Sequence, residues 1–339
     1  MKRRLGLYCD SPTWAQCHFV RDLARQAEKW GWDATVSAGL LTMRDSLDLF
    51  YTPCCGASET VEAARVSTGL WSHVSYGGWF SDTPLNHALL PRRLHHATNL
   101  YLYELLEGGV PYLASGVDTS VFQPASGRKK GEDKRLVVGW TGSLQYNAAV
   151  KLFLDLLVPA VRAAGSDGKL SEAKICFRPL VVWDCKDARN PLEVAEYLKD
   201  IDVYLCTSAS EGCSLSTLEA AAAGCVIVST PCGNAPELAH PEFIVPWSIS
   251  AITAALQRLY ADRALLQNLS ETTRQTVTER WSWDADVKRS AWQAWLTGDG
   301  EVPLPTLQLG KPTHAAVAHA RALRMASTLE LQPFDMQRS

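Results

Sequence analysis

Two glutamates bracket a short turn in "SEGCSLSTLEAAAAGCVIVSTPCG", residues 210–233: Glu211 stands just before Gly212-Cys213-Ser214-Leu215, and Glu219 lies about one helical turn into the segment that follows. A strand that ends in a tight turn and feeds a helix presents unpaired N–H groups and the positive end of a helix dipole, so it is an anion site by construction. Gly212 lets a ligand approach the backbone, and the amides from Cys213 to Leu215 are expected to face a phosphate. Glu211 then points toward whatever the phosphate carries, and Glu219 can accept hydrogen bonds from a diol on the other side. A plainer reading stands beside this one. Ser216-x-x-Glu219 is also a capping-box pattern, in which Glu219 only satisfies the helix end and Glu211 is a solvated loop charge.

Such a turn needs a sheet to carry it, and the chain supplies the pattern. "RRLGLYCD" reads as a strand, the segment from Ser11 as a helix stopped by Gly31, and "DSLDLFYTPCC" and "WSHVSYGG" as further strands. "LHHATNLYLYELLEGG" follows as a strand, a helix capped by Thr98 and a glycine stop. After the polar stretch "PASGRKKGEDKR" the alternation restarts with "LVVGWTG", a helix over "AAVKLFLDLLVPAVRAAG", the strand "AKICFRPLVVW", a helix opened by Asn190-Pro191 and the strand "DVYLCTS". A single helix is expected from about Ser248 to Leu269. A closing amphipathic helix should carry Trp283, Val287, Ala291 and Trp295 as a packed stripe. This order predicts an α/β class with parallel sheets.

With 339 residues the chain exceeds a usual single core, so two domains are expected. A hydrophobic content of 47% and a net charge of −3 describe an ordinary soluble protein without a global basic excess for nucleic acid or an anionic membrane. No apolar run is long enough to span a bilayer and the first residues lack a secretory pattern, which makes the cytoplasm the expected compartment. None of the ten cysteines forms a C-x-x-C, and they read as small buried hydrophobes in a reducing compartment.

The string "EGCSLSTLEAAAAGCVIVS", with E-x(7)-E, a small-residue helix, a glycine and an apolar strand, resembles the nucleotide-sugar signature of family 4 glycosyltransferases of the GT-B fold. "SGVDTSVFQP" at 115–124 resembles that family's interdomain segment, "LVVGWTGSLQYN" the start of its donor domain, and "RWSWDADVKRSAWQAWL" its closing helix. The resemblance covers about residues 1–297, in the family's order. It implies two Rossmann-like domains with a donor cleft between them: an acceptor-side domain over 1–123, a linker over 124–135, a donor domain over 136–280 and a crossover helix over 281–297, with a tail at 298–339 of no assigned role. It further implies that Glu211 binds donor-sugar hydroxyls, that the turn 212–215 surrounds sugar and diphosphate together with Gly142 and Ser143, and that Glu219 binds ribose.

By this resemblance the chain is a metal-independent retaining transferase that moves a hexose, glucose first, from a UDP-linked donor to an acceptor hydroxyl, with no cofactor beyond the donor. Two departures stand out. The family's arginine and lysine after the first donor strand are missing from Gly142-Ser143-Leu144-Gln145-Tyr146-Asn147, and Lys151, Arg178, Lys186 and Arg189 are the nearest substitutes, Arg178 preferred as the end of "AKICFR". "CDSPTWA" lacks the glycines common at the first turn. On the acceptor side His18 is a catalytic candidate, and His95, His96, Arg92 and Arg93 are contact candidates in "PRRLHHATNLYLY". The compact first domain resembles small phage-encoded glycosyltransferases, some of which modify hydroxylated DNA bases, so DNA is one acceptor to test. Glycan, lipid and small-molecule acceptors are alternatives, as are a sugar-nucleotide epimerase and a non-catalytic sugar-nucleotide binding module. "DID" at 200–202 mimics a metal-binding D-x-D but sits at a helix-to-strand junction, and no metal is expected there.

Overall fold

Each half of the chain builds a parallel sheet, and helices lie between the strands of the second. The computed structural model describes residues 2–9, 15–37, 49–52, 70–74, 95–100, 103, 111–127, 129–143, 152–165, 174–182, 189–208 and 211–298. In the first half β1 (Arg4–Tyr8), α1 (Ala15–Lys29), β2 (Asp33–Ser37), β3 (Leu49–Thr52), β4 (Leu70–Val74) and β5 (His95–His96) build a sheet of order β2-β1-β3-β4-β5. Every pairing in it is parallel. Helix α1 forms because Cys17, Val20, Leu23, Ala24 and Ala27 recur at helical spacing, and all five are buried against this sheet. Gly31, at φ +92°, stops it in a conformation a side chain would strain.

The second half contains β6 (Leu136–Ser143), α2 (Val158–Gly165), β7 (Ile175–Val182), α3 (Pro191–Lys199), β8 (Val203–Cys206), α4 (Leu215–Ala222), β9 (Val226–Ser229), α5 (Ala235–Leu238), α6 (Ile249–Ala261), α7 (Arg263–Arg280) and α8 (Asp286–Thr297). Its sheet runs β7-β6-β8-β9, again all parallel. Strands β8 and β9 are buried at every residue, as expected of an apolar run covered on both faces. The alanines of α4 let it lie close on this sheet, with Ala220, Ala221 and Ala222 fully buried. The α/β class read from the sequence is therefore the class of the fold.

The polar stretch after Pro124 is docked on the second sheet. Lys130, though charged, is buried, and its Nζ donates to the carbonyls of Leu198, Lys199 and Ile201 at the end of α3. The Asp202 carboxylate accepts the N–H groups of Gly131 and Val137, both at 2.9 Å. Arg274 of α7 holds the preceding segment by donating to the carbonyls of Thr119 and Phe122. Beyond α7 the chain crosses to the first sheet. Val117 N–H donates to Trp281 O at 2.9 Å and Trp283 N–H to Val117 O at 3.1 Å, and α8 then packs its tryptophans among Leu5, Leu7, Phe19 and Leu23.

Four local expectations are corrected. The helix expected from Ser248 to Leu269 is two, because Asp262 leaves helical geometry and its carboxylate caps α7 by accepting Leu265 N–H at 2.8 Å. The buried face of α8 is Lys288, Ala291, Trp292, Trp295 and Leu296, whereas Val287 is 39% exposed. Before α2, Phe153–Leu157 form a π-helical turn after a left-handed Leu152. Cys9 and Cys17 are joined in a disulfide, since the return from β1 into α1 brings their Cα atoms to 5.3 Å. No helix among the described residues is long and apolar enough to cross a membrane.

Candidate functional site

The turn from Glu211 to Ser214 joins β8 to α4 at the carboxyl edge of the second sheet, where ligands bind in open α/β folds. Three side chains shape it. Ser208 Oγ donates to Glu211 Oε1 at 2.8 Å, Ser214 N–H donates to Asn234 Oδ1 at 2.9 Å, and Asn99 Nδ2 donates to Gly212 O at 2.9 Å. Gly233, at φ +53°, closes against the turn so tightly that a Cβ there would meet Glu211 Cβ at 2.6 Å and Gly212 O at 2.7 Å. The Ser214 N–H is thus consumed by Asn234 and is not available to a ligand. This corrects the expectation that all amides from Cys213 to Leu215 face an anion. Those of Cys213, Leu215 and Ser216 have no acceptor among the described residues.

The capping question is settled by the same geometry. Ser214 is the N-cap of α4, with its hydroxyl accepting from Thr217 N–H. Glu219 lies in the second turn and takes no part in the cap. Its carboxyl is part-buried and has no hydrogen-bond partner among the described residues. Burial, and then the negative charge of Asp22 on α1, push it up to about 8. Asp22 is itself raised to about 6 by burial, its ion pair with Arg25 opposing and Asp118 adding to the shift. Sequence reasoning missed Asp22, which looks like one charge on a solvated helix face. His18 stands one helical turn before it on the same face of α1, half-buried, and burial followed by Arg21 lowers its pKa.

On the side of the turn that faces the first sheet, the structure adds residues the sequence did not single out. Glu237 on α5 is buried, accepting Leu100 N–H at 3.0 Å and Tyr112 O–H at 2.5 Å. Burial raises its carboxyl to about 7 against the opposing pull of those hydrogen bonds and of Lys288. Lys288 on α8 is buried as well, donates to Ala114 O at 3.1 Å and lies 4.6 Å from the Trp281 ring centroid. Burial brings its ammonium down to about 8, with the Cys213 thiol and Glu237 opposing. "CGNAPEL" after a buried strand carried a readable signal for Asn234 and Glu237, a glycine turn followed by Pro at the start of a helix. Nothing local marked Asn99, where Thr98 had been expected as the cap. The helical turn instead opens at Leu100, with Tyr103 N–H donating to Asn99 O.

The remaining candidates separate by position. Gly142 and Ser143 end β6 at the same edge as the turn, and Gly142 leaves room for the Trp140 ring, which a Cβ would meet at 2.6 Å. Arg178 does not end its strand. It pairs in register with Gly139, three residues or about 10 Å short of that edge, and its guanidinium binds Asp200 at 3.1 Å on the N-terminal side of β8. Arg178 is therefore not placed to neutralise a diphosphate at that edge, contrary to the expectation that it ends its strand there. Lys151 and Lys186 lie outside the described residues, and Arg189 is exposed before α3. His96 is buried edge-on to Trp292 and Trp295, with ring centroids 5.5 and 5.4 Å away, so it belongs to the packing under α8 and does not line a cleft. His95 is described only as the residue paired with His73, and Arg92 and Arg93 lie outside the described residues. Among the described residues no group of three His, Cys, Asp or Glu could hold a metal ion.

Two parallel sheets and a segment crossing back from the end of the second half to the first define the class: the architecture is GT-B. Residues 135–262 match the family model described as glycosyl transferases group 1. The chain is 28% identical over 184 residues to an MMP alpha-(1->4)-mannosyltransferase of Mycolicibacterium hassiacum, covering 50% of this chain and 44% of that protein. It thus spans less than half the length of this curated relative. Among solved structures, a sucrose-phosphate synthase from Thermosynechococcus elongatus superposes with a TM-score of 0.64 at 14% identity, over 88% of this chain and 100% of the other. Anabaena HepE in complex with UDP and glucose superposes with a TM-score of 0.60 at 10% identity, over 88% and 100%.

Proposed function

We propose that this chain transfers a hexose from a nucleoside diphosphate sugar to an acceptor hydroxyl, with retention at the anomeric carbon and without a metal. The observation that carries the reading is the β8–α4 turn, where N–H groups at Cys213, Leu215 and Ser216 that have no acceptor among the described residues lie between two carboxyl groups, Glu211 before the turn and Glu219 behind it. In this reading those amides and the N-terminus of α4 take the diphosphate, Glu219 the ribose diol and Glu211 the sugar hydroxyls, with Gly142 and Ser143 completing the site. Glu211 is aimed by Ser208, and His18 stands on α1 one helical turn before Asp22, whose charge acts on Glu219. The chemistry asked of the protein is positioning and stabilisation of the leaving diphosphate, which backbone donors supply without a proton carrier. We take the domain limits to be those given above, with 1–123 on the acceptor side and 136–280 on the donor side.

UDP is the first nucleotide to test, because HepE was solved with UDP and glucose; mannose donors belong in the panel because the curated relative is a mannosyltransferase. The decisive experiment incubates the protein with labelled UDP- and GDP-sugars and with hydroxymethylated DNA, glycan, lipid and small-molecule acceptors, followed by mass spectrometry of every component. Transfer to one acceptor supports the reading. Product from donor alone indicates an epimerase, and binding with neither transfer nor hydrolysis a binding module. For the DNA acceptor, support comes from the sequence around Arg92 and Arg93. Replacing both with alanine should weaken DNA binding and flatten its salt dependence while leaving UDP-sugar affinity unchanged.

A further inference from the structure

The contact between Asn99 and Gly212 joins residues 113 positions apart, one from each half of the chain. Asn99 is fully buried, so its amide is committed to protein partners. Its neighbour Leu100 is held by the same half of the chain that bears the turn, through the Glu237 carboxylate, which also binds the Tyr112 hydroxyl. Two consecutive residues of the first half are thus gripped by Gly212 and Glu237 of the second.

A trans peptide is planar, and its C=O and N–H point in opposite directions. Fixing Gly212 O toward Asn99 therefore aims the N–H of Cys213 away from Asn99, and this is one of the three N–H groups in the turn that lack an acceptor among the described residues. Asn234 fixes the next peptide by taking the Ser214 N–H. Without Asn99 the Gly212–Cys213 peptide is held at one side only, and glycine's conformational freedom allows it to rotate.

We propose that Asn99 is a positioning residue for the donor: the first half of the chain sets the direction of the turn's anion-binding amide, so donor affinity and the docking of the two halves are coupled. The inference rests on the donor-turn reading above. Coupling is reciprocal, so whatever closes the Asn99–Gly212 contact tightens donor binding, and bound donor holds the contact closed.

The test uses the full chain and UDP as probe. Asn99→Ala should weaken the UDP Kd by about tenfold, the size expected of one buried hydrogen bond that organises a site. Asn99→Asp, which places an acceptor against the Gly212 carbonyl, should weaken it further. A merely structural role would lower Tm and the active fraction while leaving the Kd of the folded protein unchanged, and that outcome overturns the proposal. Should both variants fail to fold, the wild type decides by amide hydrogen exchange. UDP should slow exchange at Leu100, whose N–H makes the bond to Glu237, as well as across residues 211–216. Protection confined to 211–216 overturns the proposal. Wild-type protein that binds no nucleotide or nucleotide sugar overturns the donor-turn reading itself, an outcome distinct from unchanged binding by Asn99→Ala.

Discussion

The Asn234 side-chain oxygen accepts the Ser214 N–H at 2.9 Å, and Asn234 is fully buried. This bond takes one amide of the turn out of reach of a ligand and fixes its neighbours, so its loss should be felt twice. Asn234→Ala leaves a buried N–H without its acceptor, at a cost of about 1–3 kcal/mol. We expect a lower Tm together with weaker UDP binding, read by calorimetry on the same samples. An unchanged Tm would mean that water replaces the side chain without loss.

Glu219 carries a pH dependence whose sign follows from its environment. Its folded pKa is about 8, against 4.5 as the ordinary value, so the stability that comes from the protonated carboxyl is complete below pH 4.5 and is lost as pH rises through 8. Glu219→Gln removes this dependence. The variant should melt higher than wild type at pH 8, with the gap closing toward pH 4.5, and it should bind UDP more weakly if the carboxylate takes the ribose diol. A variant that melts lower at every pH yet binds UDP normally would make Glu219 a structural residue only.

Much of this was legible in the sequence because it is local. Strand and helix alternation follows from apolar runs and helical spacing, and the E-x(7)-E turn is written in consecutive residues. What stayed hidden depends on contacts between distant segments. Asn99 reads as one polar residue beside a helix start until the fold brings Gly212 to it. Lys288 looks like a solvated charge on an amphipathic helix, and only the crossing of α8 onto the first sheet buries it. Arg178 was misplaced because the strand runs four residues past it, through Pro179, to Val182. The split at Asp262 carried a readable capping signal, an aspartate ahead of a new helical run, that the apolar periodicity on either side obscured.

Glu211 tests the sugar side of the site. Its carboxylate is held by the Ser208 hydroxyl at 2.8 Å and backed by Gly233, so it is presented in one orientation. If its contact with the sugar strengthens in the transition state, Glu211→Ala should lower kcat by roughly a hundredfold and spare UDP affinity. Ser208→Ala should show the same pattern at smaller size, because the carboxylate remains but is less well aimed. Parallel loss of UDP binding and turnover in Glu211→Ala would place this residue on the nucleotide.

Asp202 separates a metal site from a structural one. The aspartate is fully buried, with one carboxylate oxygen accepting Gly131 N–H and the other Val137 N–H, both at 2.9 Å, while its companion in "DID", Asp200, is paired with Arg178. Oxygens already engaged with backbone donors at the N-terminal side of the sheet are poorly placed to hold a divalent cation beside a diphosphate at the opposite edge. Asp202→Asn sets its amide nitrogen against one of the two N–H donors, so we expect a loss of stability of about 1–3 kcal/mol. Below its own Tm the variant should retain transfer activity, and transfer by the wild type should survive EDTA. Loss of wild-type activity on chelation with recovery on adding manganese would return Asp200 and Asp202 to the site; a destabilised variant with EDTA-insensitive turnover would support Asp202 as the bond between the segment after Pro124 and the second sheet.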